Sequence, residues 1–168
     1  MWTARRILKD LADTDARRRI AAAFWKFGDP QSKAVATVQL ARALHFRTET
    51  MHRMAPEKKA ELLAGRVSAA EFEQTFENAL MVYHTHEQRE LLGAFLDHWK
   101  VPHVDGSIEA EDYAPPSADA VREAVASLGS RFDKRDVGIY LASAGLLMAG
   151  AWREATWPVV DELAAAAG

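Results

Sequence analysis

The chain has 168 residues, of which 49% are hydrophobic and 27% are charged, and a formal net charge of −3. It contains no cysteine, which excludes disulfides, thiolate catalysis and thiolate metal sites and is compatible with a reducing, cytoplasmic location. The length suits a single domain with a sizeable core, and the acidic balance argues against a broad nucleic-acid-binding face, which needs a surplus of basic residues.

The basic residues are concentrated at the start of the chain. Residues 1–28 contain seven basic and three acidic side chains, a local net charge of +4. We interpret them as solvated helix faces that meet acidic neighbours within the fold or across an oligomer, and we rank contact with nucleic acid third among the functions considered. No nucleic-acid or membrane partner is predicted. The heavy use of alanine and arginine favours a bacterial, cytoplasmic protein.

The first hundred residues predict a succession of amphipathic helices with short connections. Apolar residues recur every three or four positions, and capping or helix-ending residues separate the stripes. Asp13 or Thr14 is a predicted N-cap, and so is Asp29. The predicted elements are a stripe at 4–11, helices at 14–27, 30–46 and 56–65, a short turn at 48–54, and two helices on either side of a break near 84–86.

Two segments carry the pattern of a capping box, in which a Ser or Thr side chain and a Glu or Gln three residues later satisfy each other's backbone N–H groups. They are Ser68 with Glu71 and Thr85 with Gln88. Each predicts that a helix begins there.

One long irregular segment follows, at 101–116, and it carries four acidic residues and no basic one. Loops of this length are uncommon in compact domains and are often functional. We expect a single helical domain over 1–168, in which this acidic loop separates an N-terminal helical part (1–100) from C-terminal helices (117–168). In the second part, Ser117 and Asp133 are predicted N-caps, and Thr156-Trp-Pro158 predicts the start of the last helix.

The most informative segment is the fifteen-residue stretch 137–151, which has no charged side chain. A helix that is apolar all round is normally buried all round, so we predict a central helix over about 134–149. The helix predicted at 30–46 has only two charged residues and is the second predicted central helix. At fifteen residues the uncharged stretch is too short to span a bilayer, which needs about 20.

Small residues recur along one face of that uncharged helix, which would let another backbone approach closely. They meet either a second helix of the same chain or the same helix of a second subunit. This candidate close-packing or interface face consists of Gly138, Ala142, Gly145 and Ala149.

The histidines are the other candidate functional residues. No His-x-x-x-His pair is present, and a single Glu49-x-x-His52 is half of what a di-iron bundle uses, so no metal ligand set is predicted. The best site hypothesis is a metal- or small-molecule-binding pocket near the predicted break and the acidic loop. Its candidate residues are His84, His86, His98, His103 and Asp105.

Known catalytic and nucleotide-binding patterns are missing from the sequence. It contains no Gly-x-Ser-x-Gly elbow, no P-loop and no Gly-x-Gly-x-x-Gly. No cofactor is predicted, and the sequence does not decide whether the protein is an enzyme.

Five tryptophans are many for this length. Aromatic side chains are frequent both in cores and in interface centres. Trp25 lies off the apolar stripe of its helix and is predicted to face the surface.

Taken together, the sequence predicts an all-α, single-domain multi-helix bundle of about eight to ten helices around two apolar central helices. The favoured function is contact with another protein or with itself, as a homodimer. The alternative is a helical bundle that binds a metal or small molecule near His84, His86, His98 and the 101–116 loop, with or without enzymatic activity.

Overall fold

The computed structural model describes residues 1–108, 113–148 and 150–167. These residues form ten α-helices and no strand, which confirms the prediction of an all-α multi-helix fold. The helices are α1 (Ala4–Asp10), α2 (Thr14–Phe27), α3 (Pro30–Ala43), α4 (Thr48–Arg53), α5 (Pro56–Ala64), α6 (Glu73–His86), α7 (Arg89–His98), α8 (Ala118–Leu128), α9 (Lys134–Leu147) and α10 (Gly150–Ala167), with a 3-10 turn at Ala70–Phe72.

By its internal contacts the chain divides into two compact units. The N-terminal unit is Thr3–Glu87, and the C-terminal unit is Met1–Trp2 together with Gln88–Gly168. The division follows the break between α6 and α7, close to where the sequence predicts one, and the loop at 101–116 lies inside the C-terminal unit. Folding as a single domain stays a prediction.

Four of the helices begin at the polar residue that the sequence predicts. The side chains of Asp13, Asp29, Ser117 and Asp133 each accept a hydrogen bond from a backbone N–H in the first turn of α2, α3, α8 and α9. Such caps satisfy donors that have no partner within the helix. The local sequence therefore sets where these helices start.

In the N-terminal unit, α2 packs against both α5 and α6. Its apolar stripe meets large apolar side chains of those helices, and all of them are fully buried. The centre of this core contains Ile20, Phe24, Leu63, Phe76 and Leu80.

Several basic residues at the start of the chain bind groups within this unit. Arg5 Nε donates to Glu73 Oε2 at 2.9 Å, and the other oxygen of Glu73 accepts from the backbone N–H of Ala4 at 2.6 Å, so that one carboxylate caps α1 and pairs with its arginine. Arg17 donates to the carbonyl oxygens of Leu8 and Lys9 at the end of α1. The prediction of acidic neighbours within the fold is thus confirmed for Arg5, whereas Arg17 binds backbone carbonyl oxygens instead.

The prediction that 30–46 is a central helix is wrong. Helix α3 buries Ala36, Thr37, Leu40 and Ala41 on one side only, whereas Val35 is 51% exposed. Although α3 has few charged residues, its glutamine and serine side chains also need hydrogen-bond partners, and burying them without partners costs free energy.

Both predicted capping boxes are wrong. The 3-10 turn at Ala70–Phe72 and helix α7 have no side-chain cap. Thr85 lies inside α6, where its hydroxyl donates back to the carbonyl oxygen of Met81 at 2.9 Å. The backbone carbonyl of Ser68 instead accepts from Arg5. Neither predicted box therefore marks the start of a helix.

Trp25 is buried, so the prediction of a surface position is also wrong. Because α2 packs against helices on two sides, a position off its main stripe is still covered. The ammonium group of Lys59, on α5, lies 5.0 Å from the centre of the Trp25 ring. The indole Nε1 has no hydrogen-bond partner among the described residues.

In the C-terminal unit, α9 packs against α10, and α10 also packs against α8. Every residue of α9 from Val137 to Gly145 is buried. The predicted burial is thus confirmed for most of the helix but not for its end, because Leu147 and Met148 are 39% and 40% exposed.

An aromatic cluster fills the same unit. Neighbouring rings lie 5.2–6.2 Å apart between centroids, mostly edge to face, as aromatic quadrupoles prefer. Their polar atoms also pair, since Trp99 Nε1 donates to the Ala120 carbonyl and Trp152 Nε1 donates to the Tyr113 hydroxyl. The cluster consists of Phe95, Trp99, Tyr113, Tyr140 and Trp152.

The last helix begins earlier than predicted. Helix α10 runs without interruption from Gly150 and contains Pro158, so Thr156-Trp-Pro158 is not a helix start. Gly150 has φ +53°, a left-handed conformation that glycine adopts without steric cost, and this lets α10 begin directly after α9. No helix in the described residues has the length and apolarity that crossing a bilayer requires.

Candidate functional site

The small-residue face of α9 packs closely against α10 at Gly145. A methyl group added at Gly145 would lie 2.6 Å from Thr156 Oγ1 and would overlap Trp157 Nε1, and Trp157 Nε1 donates to the carbonyl oxygen of Ala142 at 3.2 Å. A methyl group at Gly138 would meet no atom within 4 Å. Ala149 lies outside the described residues. Contact of this face with a second subunit stays a prediction.

His84 is a core residue of α6. It is 4% exposed, and its ring meets the Tyr83 ring edge to face at 5.5 Å. Desolvation lowers the pKa of His84 to about 3, because burial penalises the charged imidazolium. His84 is therefore neutral at physiological pH.

His86 and His98 are exposed at the ends of their helices. The imidazole of His86 stacks on Phe27, with centroids 4.5 Å apart and planes 5° from parallel. One face of the His86 ring is therefore covered by Phe27, within the N-terminal unit.

His103 is held at both ring nitrogens. Nε2 lies 3.1 Å from Asp97 Oδ1, and Nδ1 accepts from the backbone N–H of Gly106 at 3.0 Å. A histidine beside a carboxylate can act as a general base only where its second nitrogen faces the substrate. Here that nitrogen faces the protein backbone, so the arrangement positions a turn and does not accept a substrate proton.

The candidate pocket residues are thus distributed over both units, with His84 and His86 in the N-terminal unit and His98, His103 and Asp105 in the C-terminal unit. Across residues 1–108, 113–148 and 150–167, no group of three or more His, Asp or Glu side chains has an arrangement suited to a metal ion. The hypothesis that all five residues form one pocket stays a prediction, as does the binding function attached to it.

The exposed end of α9 and the start of α10 form an apolar corner. We use this name for Leu147, Met148, Gly150 and Ala151, which are all exposed. Within the first turn of α10, Arg153 lies over the Trp157 ring at 4.7 Å and donates to the carbonyl oxygen of Gly145 at 3.4 Å. The four residues of the corner have no charge. Arg153 is a neighbouring charged residue, and its guanidinium is held by Trp157 and the Gly145 carbonyl oxygen.

Sequence reasoning missed two features of these sites. The first is the role of Asp97, which lies on the exposed side of α7 and is brought to His103 only by the chain reversal after α7. The second is the tight turn at Val104–Ser107, where the two residues exchange backbone hydrogen bonds of 2.9 Å. Its central Asp105-Gly106 pair is a known signal for such turns and was available in the sequence.

Comparison with known proteins gives no family assignment: no family model, no curated protein and no solved structure matches the chain.

Proposed function

We propose that this protein acts through protein–protein contact and associates with a second copy of itself at the apolar corner. The observation that supports this most is the exposure of Leu147 and Met148 at the end of an otherwise buried, uncharged helix. Adjacent exposed apolar side chains are typical of interaction sites, because water solvates them poorly.

Small residues beside these two side chains favour close approach. Gly150 has open space around its α-carbon, with no atom within 4 Å of where a methyl group would lie, and Ala151 is exposed. Two copies related by a two-fold axis would bring the same patch together, so that the large side chains of one copy cover the small residues of the other.

The charges near the corner suit a self-complementary contact. Arg153 and Glu154 follow it directly in the sequence and have opposite signs. In a two-fold contact the positive group of each copy can face the negative group of the other, and such pairing favours the correct partner more than it raises affinity. A cytoplasmic location and a bacterial source are proposed with this function.

The test is the solution mass of the protein as a function of concentration, measured by sedimentation equilibrium. We expect the parent chain to approach the mass of two chains as concentration rises. The double variant Leu147→Glu/Met148→Glu should remain at the mass of one chain, because dimerisation would bury unpaired carboxylates.

Val35→Glu is the matched control, since it places the same charge at another exposed apolar side chain, on α3. It should associate as the parent does. A parent that stays at the mass of one chain at every concentration contradicts the proposal. A dimer that survives the double substitution contradicts it too, and so does a dimer that Val35→Glu abolishes.

A further inference from the structure

The turn that follows α7 has a defined two-residue geometry. Asp105 and Gly106 have φ values of +49° and +85°, as the central residues of a type I′ turn require. Val104 and Ser107 each donate a backbone hydrogen bond of 2.9 Å to the other. The turn is therefore closed by its own backbone.

Its attachment to α7 uses a different set of contacts. Gly106 fits closely against Leu92, where an added methyl group would lie 2.8 Å from a side-chain carbon. The ring of His103 lies over Gly93, with Cε1 3.5 Å from the position that a side chain there would take. His103 then joins the two parts, because Nε2 meets Asp97 on α7 and Nδ1 meets the N–H of Gly106.

One protonation state alone satisfies both hydrogen bonds of His103. A backbone N–H only donates, so Nδ1 must carry a lone pair, and Nε2 must carry the proton that is donated to the Asp97 carboxylate. That state is the neutral Nε2–H tautomer. When the ring gains a second proton, Nδ1 becomes a donor and faces the donor of Gly106.

We propose that the Val104–Ser107 turn is attached to α7 by a proton-operated latch: neutral His103 holds the Gly106 amide, and protonated His103 releases it. The turn keeps its own two backbone hydrogen bonds, so the change lies in its attachment to α7 and not in its closure. The side chain of Val104, which is 56% exposed, moves with the turn.

Among the residues that the structure describes, one charged group pairs with the His103 ring. The Asp97 carboxylate of α7 meets Nε2. Gly93 of α7 and the Gly106 amide, which also contact the ring, have no charge. Asp105 of the turn is exposed to solvent. Protonation of the ring thus strengthens its attraction to the Asp97 carboxylate and removes the hydrogen bond from the Gly106 amide.

The test is the hydrogen-exchange protection of the Gly106 amide, measured by NMR on the full chain from about pH 8 to about pH 5, with the His103 ring signals followed in the same samples. We expect protection, corrected for the intrinsic exchange rate at each pH, to fall about tenfold as the ring gains its proton. The amide nitrogen shift of Gly106 should follow the same curve, and the Phe95 amide within α7 should keep its protection.

His103→Asn is the matched control, because its side-chain oxygen can accept from Gly106 as Nδ1 does but gains no proton in this range. Its Gly106 protection should not depend on pH. The latch is overturned by a Gly106 amide whose protection and shift ignore the titration of the parent ring, by a ring that stays neutral down to about pH 5, or by an equal loss of protection in His103→Asn.

Discussion

Helices α3 and α9 both have few charged residues, but they differ in how far they are buried within their units. Both come from stretches with few or no charges, and both were predicted to be central. Helix α9 is buried at every position from Val137 to Gly145, whereas α3 is buried along one side and exposes Val35.

The difference lies in their uncharged polar groups. In α3, Gln39 donates to the carbonyl oxygen of Glu71 and accepts from the Thr75 hydroxyl, and Ser32 accepts from Asn78. In α9, Ser143 donates to Ile139 within its own helix at 2.7 Å. A helix that satisfies its own polar groups can be surrounded by apolar neighbours, whereas one that needs outside partners requires a polar side. For these two helices, the difference in burial follows the partners of Gln39, Ser32 and Ser143 and not the number of charges.

The largest expected effect is that of Gly145→Leu, in α9. The new side chain would overlap Thr156 and Trp157 on α10, and overpacking of this kind costs about 3 kcal/mol or more. Ala34→Leu, at an exposed position of α3, should change the free energy of unfolding by less than about 0.5 kcal/mol. Denaturant unfolding of both variants checks this, and equal midpoints would contradict the packing described for α9.

A second pair removes side-chain volume from the same two helices. Leu141→Ala should cost about 3 kcal/mol, because Leu141 is fully buried and its loss leaves a cavity. Val35→Ala, at a half-exposed position of α3, should cost less than about 1 kcal/mol. If the α3 substitution costs as much as the α9 substitution in urea unfolding, the two helices do not differ in burial.

The two units that contain these helices should also differ in how their free energy of unfolding changes at acidic pH. With its pKa lowered to about 3 in the folded chain, His84 of the N-terminal unit stays neutral while the unfolded chain gains a proton below about pH 6.5. The contribution of neutral His84 to the free energy of unfolding is therefore fully present above that pH. It falls as the pH drops from 6.5 towards 3, by about 2 kcal/mol between pH 7 and pH 5. Burial raises the pKa of Tyr140 in α9, so this group is neutral in both states over that range and its contribution is lost only in alkali.

Unfolding free energies at about pH 7 and pH 5 in His84→Leu and His98→Gln test this expectation. Carboxyl groups such as Asp29 and Glu162, whose pKa values are lowered by hydrogen bonds, stay charged throughout. The loss should disappear in His84→Leu and persist in His98→Gln, which changes an exposed histidine. A parent that is equally stable at both pH values would show that His84 is accessible to protons.

The smallest effect concerns the other glycine of α9. Gly138→Ala should stabilise the chain by about 1 kcal/mol, because alanine restricts the unfolded backbone and favours the helix, and the added methyl group meets no atom within 4 Å. Thermal unfolding measures the gain. A clear loss of stability would mean that the space beside Gly138 is occupied, as it would be if this face contacts a second subunit.

The sequence predicted those features that depend on neighbouring residues. The N-caps at Asp13, Asp29, Ser117 and Asp133 and the break after α6 follow from local hydrogen bonding and chain stiffness, and the structure has them. The capping box predicted at Ser68 is absent, since the turn at Ala70–Phe72 has no side-chain cap, and the local sequence does not show that the Ser68 carbonyl oxygen accepts from Arg5, far away in the sequence.

The candidate site was less predictable, since the state of each histidine depends on tertiary contacts. Burial of His84 and stacking of His86 on Phe27 come from helix packing. The two partners of His103 come together only once the chain has turned back on α7. Helical spacing shows which histidines could share a face, but it does not show which nitrogen atoms are already engaged.

Helix α9 is the buried core helix of its unit, and native-state amide hydrogen exchange measures that burial residue by residue. We predict that the amides from Leu141 to Gly145 exchange only through global unfolding, with the highest protection in the chain, while amides on the exposed side of α3 near Val35 exchange faster. Exchange of the α9 amides at or above the rate of those α3 amides would contradict the account.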